Sequence, residues 1–364
     1  MFLIPLLTLF ASTASAIPTP EKDDTLILLH VLFRHGDRTP ETSELYPTDP
    51  YHADTSFPEG LGELTNAGKK REHQIGQALR KKYDSFLGSF KSNNIIATTT
   101  DFSRTKMSCL LVLSGLYPPN ENQIWKTGFN WQPIPYSYTQ YYSDYLLGDP
   151  TVVCPQFIKK YNDYLSKEKD TIYEKNKKLY DYVSLHSGLK ITRPQQIYNL
   201  QFLLNSEEAM GLKLPEWTNN IWPENITKAA AEEYYLAFAT PEMKKLAGGP
   251  LFKKIIDDTN TKIAINSTDE HKLYLYSAHE NNLAYFLIHL DAFYPHIPPY
   301  GSYIVFEVHQ IHNTYGVKIF YENYTKNSGY IKIPGCGQFC PFDKFVGLMK
   351  DSLPATHDVC LQKE

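Results

Sequence analysis

The chain lacks a basic surplus. Its 36 Lys and Arg are set against 40 Asp and Glu, a formal charge of -4. That argues against nucleic acid as the main partner, which needs a basic face. Cysteine is scarce, five in 364 residues, which excludes a small disulfide scaffold. After the first 16 residues no apolar run approaches the roughly 20 needed to span a bilayer. Leu361–Glu364 offers no lipid anchor. There is no internal repeat and no low-complexity tract. No clustered metal ligands stand out, and Cys336 with Cys340 lacks two further nearby ligands for zinc. What is present is an ordinary globular composition, 42% apolar and 21% charged. At roughly 150 residues per domain, the length gives two domains or one large domain with an insertion. The 27 Tyr and 19 Phe read as an amphipathic core with interfacial rings.

Met1–Ala16 reads as a secretory signal peptide, with an apolar stretch from Phe2 to Phe10 and a small-x-small site at Ala14-Ser15-Ala16. Its start carries no Lys or Arg. Cleavage after Ala16 leaves a mature chain of 17–364, soluble and outside the cell. Three glycosylation sequons then become legible, at Asn225, Asn266 and Asn323. Five cysteines leave at least one unpaired within the chain. A disulfide between Cys336 and Cys340 would close a short loop, and one between Cys154 and Cys360 a long span. Cys109 lies in an apolar helical pattern and reads as a buried free thiol.

Leu26–Phe33 is a nearly unbroken apolar run, interrupted by His30, and suits a central parallel strand covered on both faces. A helix is expected over Thr65–Leu87, a strand over Ile95–Thr99 and a helix over Ser103–Ser114. From about 120 to 250 the pattern is helical, with segments Gln156–Tyr164, Thr171–His186, Pro194–Met210 and Thr227–Leu246, and little reads as strand. Strand pattern returns at Leu273–Ser277. A helix with Leu283, Phe286, Leu287 and Leu290 on one face follows, then a candidate hairpin of Tyr303–His309 and Tyr315–Tyr321. The expected fold is α/β: a mostly parallel central sheet flanked by helices, with a smaller helical insertion or cap lobe at about 120–250.

The chemistry lies just beyond three of these strands. Arg34-His35-Gly36-Asp37-Arg38-Thr39-Pro40 follows the first, Asp101 and Arg104 the second, His279 and Glu280 the third. Open α/β sheets form sites beyond the carboxyl ends of their strands. If the three strands are neighbours, three arginines, two histidines and a glutamate converge. Arg104 sits on the apolar stripe of its helix and needs an anionic partner, either a ligand or a carboxylate such as Asp101 or a distant Glu. By spacing alone Glu280 reads as a first-turn glutamate. Three guanidinium forks suit a tetrahedral oxyanion better than a carboxylate. A histidine beside them stays neutral in mild acid and can attack phosphorus. Glu280 would protonate the departing oxygen. No metal or cofactor is required.

At these residues the sequence resembles the histidine acid phosphatase family. Residues 34–40 match its Arg-His-Gly-x-Arg-x-Pro signature. Asp101-Phe102-Ser103-Arg104-Thr105, running on to Gly115-Leu116-Tyr117-Pro118-Pro119, resembles its second block, and Ser277-Ala278-His279-Glu280 its C-terminal block. The likeness covers most of residues 25–360. It is nearest to the insect secreted, venom-type branch, through Leu214–Asn220 and Gly248–Leu251. The resemblance implies the phosphoglycerate mutase-like histidine phosphatase fold and hydrolysis of small phosphomonoesters through a phosphohistidine. It implies His35 as nucleophile, Arg34, Arg38, Arg104 and His279 as phosphate ligands, and Glu280 as proton donor. It also implies disulfides Cys154–Cys360 and Cys336–Cys340, and leaves a homodimer open. One position departs: most members carry Asp where this chain has Glu280, which shifts the carboxyl by up to ~1.5 Å; the insect branch carries Glu there. The competing reading is a catalytically weak or inactive secreted protein that binds small molecules on the same fold. A phosphoglycerate mutase role conflicts with secretion, and a phytase would need a more basic pocket.

Overall fold

The computed structural model describes residues 25–52, 56–265, 271–356 and 359–361. The expected signal peptide and the sequon at Asn266 lie outside these residues. In chain order the strands are β1 (Leu26–Arg34), β2 (Ile95–Thr99), β3 (Ser137–Tyr138), β4 (Leu273–Ala278), β5 (Tyr303–Ile311), β6 (Thr314–Glu322), β7 (Gly329–Tyr330) and β8 (Cys340–Pro341). They form one sheet in the order β3-β2-β4-β1-β5-β6-β7, with β8 also on β6. The fold is mixed α/β. The β3-β2-β4-β1 half is parallel, whereas β5 pairs antiparallel to β1 and the remaining strands follow antiparallel. The sheet is therefore less parallel than the pattern suggested, because the β5–β6 hairpin adds to β1 directly.

Alternation along β1 sets the two layers. Leu28 and Leu32 face a core built with α9 (Gly249–Ile265), α10 (Glu280–His289) and α11 (Phe342–Met349). Leu29, Val31 and Phe33 face the opposite core, under α1 (Asn66–Leu87) and α2 (Ser103–Leu116). This is the period of two that a strand buried on both faces requires. His30 is a core residue: it stacks on Tyr274 at 4.9 Å and bonds Thr259, and burial lowers its pKa to about 3. Helices α1 and α2 cross at glycines. A Cβ on Gly76 would lie 2.1 Å from the Val112 carbonyl, and one on Gly115 2.2 Å from that of His73. That closeness seats α2, and Arg104 at its start, beside β1.

Between β3 and β4 the described chain is helical. It holds α3 (Pro150–Val153), α4 (Pro155–Ser187), α5 (Pro194–Ala209), α6 (Glu224–Ala230), α7 (Glu232–Leu236) and α8 (Pro241–Ala247). The two helices expected within 156–186 are one, with non-helical angles only at Asn176 (φ -120°, ψ 15°). The polar stretch Ser166–Asp170 between them contains no Pro or Gly and simply continues the helix. Disulfides join Cys154 to Cys360 (Cα–Cα 4.8 Å) and Cys336 to Cys340 (5.4 Å); Cys109 is free and buried. The sequon at Asn225 is exposed. At Asn323 the side chain is 1% exposed and its Nδ2 donates to Tyr294 Oη at 2.6 Å. No helix among the described residues is long and apolar enough to cross a membrane.

Candidate active site

Strands β2, β4 and β1 are adjacent and parallel, so their carboxyl ends share one edge. Arg34 pairs in register with Ala278, and Thr99 with Ser277. The six residues expected there are brought together. His35, Arg38, Arg104, His279 and Glu280 line one cavity of about 270 Å³. Arg34 does not line it. It is 1% exposed, with its guanidinium carbon 3.9 Å from the Tyr300 ring centroid and 5.2 Å from that of Phe202. Its Nη1 donates to the Pro298 carbonyl at 2.6 Å, while Nη2 has no partner.

The loop after β1 is pressed onto the start of α1. A Cβ at Gly36 would lie 2.7 Å from the Gly68 carbonyl, so only glycine lets the turn sit there. This fixes the ring beside it. His35 Nδ1 lies 2.9 Å from the Gly36 carbonyl, and Arg104 Nε lies 3.2 Å from Nε2. A carbonyl only accepts and a guanidinium only donates. The proton is therefore on Nδ1, and Nε2 carries a lone pair toward the arginines. Burial, then Arg104, Arg34 and the other cationic neighbours, hold His35 well below its ordinary 6.5. The His279 ring centroid is 5.4 Å away, and burial followed by Arg104 lowers its pKa to about 3. His279 Nε2 meets Thr100 Oγ1 at 2.9 Å; that hydroxyl donates onward to Thr105, so the ring is the donor.

Each arginine has its own carboxylate. Arg38 is forked onto Glu44 at 2.9 and 2.5 Å, and Arg104 Nη2 meets Glu41 at 2.8 Å. Asp101, a candidate partner of Arg104, instead pairs with Lys106 at 2.5 Å. Arg34 Nε is 3.4 Å from Glu280. Glu280 also accepts from Tyr198 Oη at 2.5 Å. Burial would raise the Glu280 pKa, but Arg34, His279 and the Tyr198 hydroxyl outweigh it, and the carboxyl sits below its ordinary 4.5.

Helix α5 supplies residues that the sequence did not reveal as part of the site. Tyr198, Phe202 and Ser206 recur every four residues on one face. Tyr198 reaches Glu280, Phe202 lies 5.2 Å from Arg34 and 5.6 Å from Arg38, and Ser206 meets Tyr300 Oη at 3.1 Å. A polar hydroxyl at each end of an otherwise apolar stripe was the available signal. Glu41, Glu44 and Thr100 were likewise missed.

Fold and site together define a cavity lined by histidines and arginines at the carboxyl edge of a mixed α/β sheet. Residues 25–322 match the model of the histidine phosphatase superfamily (branch 2), and the chain belongs to that family. It is related to acid phosphatases. It is 37% identical to the venom acid phosphatase of Apis mellifera, covering 92% of this chain and 87% of that one. It is 30% identical to the lysosomal acid phosphatase of Homo sapiens, covering 96% and 83%. Among solved structures, the Hafnia alvei phytase in complex with tartrate superposes with a TM-score of 0.67 at 17% identity, covering 93% and 99%. The latter likeness concerns the fold alone.

Proposed function

We propose that the chain is a secreted acid phosphatase that hydrolyses small phosphomonoesters through a phosphohistidine on His35. The mature protein, 17–364, is a single histidine phosphatase domain, with the helices of about 120–250 as a cap over the site. The observation that carries the reading is the His35 ring: its Nε2 lone pair faces Arg104 and stays unprotonated in mild acid. Nε2 attacks phosphorus as the bond to the leaving oxygen breaks. Arg38 and Arg104 donate to the equatorial oxygens, Arg34 through its unpartnered Nη2, and His279 joins them when the entering oxyanion draws its Nε2 hydrogen away from Thr100; this is the main catalytic work in phosphoryl transfer. Glu280 supplies the proton to the departing oxygen. It is ionised in the free site, but an entering phosphate adds negative charge, which raises its pKa. Below about pH 6 a monoester also arrives as a monoanion, carrying a proton that Glu280 can share. In the second step Glu280 takes a proton from water, water oxygen bonds to phosphorus, and the N–P bond breaks to return free His35. Secretion is supported by the leader-like start, two disulfides and the venom relative; Asn225 is the exposed sequon in the described structure.

The test is hydrolysis of an aryl phosphate at mildly acid pH. His35→Ala should lower the rate by about 10³-fold or more. An equal rate would remove His35 from the mechanism.

A further inference from the structure

The cavity's charges do not balance evenly. Arg34, Arg38 and Arg104 are matched by Glu280, Glu44 and Glu41. No lysine lines the cavity. A fourth carboxylate, Asp149, lines it as well and has no cation partner among the described residues. Its Oδ1 caps α3 through Thr151 N and Oγ1, at 2.9 and 2.7 Å, while Oδ2 accepts no hydrogen bond from the described residues. Two further features share the lining. Tyr141 packs edge-on against Phe102, centroids 4.9 Å apart, offering aromatic surface. Asn281, 7% exposed, has an Oδ1 acceptor with no partner.

A free carboxylate, an unpartnered carbonyl acceptor and aromatic rings are the groups that recognise an ammonium ion. They repel an anion. We propose that Asp149, Asn281, Tyr141 and Phe102 form a leaving-group subsite for an ammonium group, so that the site prefers amine-bearing alkyl phosphates and disfavours esters carrying further negative charge. With every arginine already matched, no surplus positive charge remains to hold a second phosphate or a carboxylate. The inference rests on the phosphatase reading and deepens it.

The experiment compares kcat/KM for three esters of similar size: phosphoethanolamine, n-propyl phosphate and phosphoglycolate, with an aryl phosphate run alongside. The native protein should prefer phosphoethanolamine over n-propyl phosphate by about tenfold, as a partly desolvated charge pair gives, and should turn over phosphoglycolate most slowly. Asp149→Asn keeps a helix-capping side chain and should bring the first ratio close to one; Asp149→Lys should favour phosphoglycolate. Ratios within one variant are independent of how much of it folds. A native ratio near one, a ratio unmoved by Asp149→Asn, or turnover of the aryl ester alone overturns the subsite while leaving the phosphatase. Turnover of no ester overturns both.

Discussion

Two buried groups in one cavity are pushed in ways that suit opposite tasks. His35 is kept neutral by burial and three arginines, which suits the proposed nucleophile at a pH where a free imidazole is charged. Glu280 is kept ionised by Arg34 despite burial, so in the proposed mechanism it becomes an acid only once an anion arrives. The proposed role as donor has a specific consequence. Glu280→Gln cannot give a proton to the leaving oxygen, and the loss should follow how badly that oxygen needs one. For an alkyl phosphate the rate should fall by about 10²- to 10⁴-fold, and for an activated aryl phosphate far less. Paired rates on both esters check this, and equal losses would assign Glu280 to positioning Arg34 instead.

At the scale of elements, legibility followed contiguity. Arg34, His35 and Arg38 stand in one short run, and Arg104, His279 and Glu280 each begin a helix after a strand, so strand pattern placed them where they meet if the strands are neighbours. The β2-β4-β1 order turns that expectation into geometry. The carboxylates that match Arg38 and Arg104 were not legible, because Glu44 and Glu41 lie in and before a single 3-10 turn whose path no periodicity fixes. Tyr198 and Phe202 looked like ordinary core residues, since one helix face serves both the cap's packing and the cavity wall. The hairpin was legible from its alternation; that it joins the sheet through β1's free edge, making the sheet mixed, was not. Burial at Asn323 was not legible either: a three-residue sequon carries no information on burial, and the side chain donates to Tyr294.

At the scale of the molecule, buried titratable groups tune stability toward mild acid. His30, His279 and His289 have pKa values lowered to about 3 and His296 to about 4, chiefly by burial. The unfolded chain binds protons at these sites from about pH 6.5 downward and the folded chain does not, so acidification through that range costs stability. Glu207 and Glu233 are pushed the other way by burial, to about 8 and about 7. They stay protonated when folded, so stability is lost as pH rises through those values. Between about pH 4.5 and 6.5 the two sets oppose each other. The melting temperature should therefore peak in that window, fall toward pH 8 and fall again below pH 4; a maximum above pH 8 would contradict the assignment. The Cys154–Cys360 bond spans 206 positions and contributes about 5 kcal/mol in the chain-entropy picture.

The central claim is that the phosphoryl group passes through one imidazole nitrogen. Mixing the protein with a labelled phosphomonoester at mildly acid pH, quenching within the first turnovers and mapping the label tests this most directly. The label should sit on Nε2 of His35 and disappear in His35→Ala. Turnover with no labelled protein, or with the label on any other residue, would contradict the account.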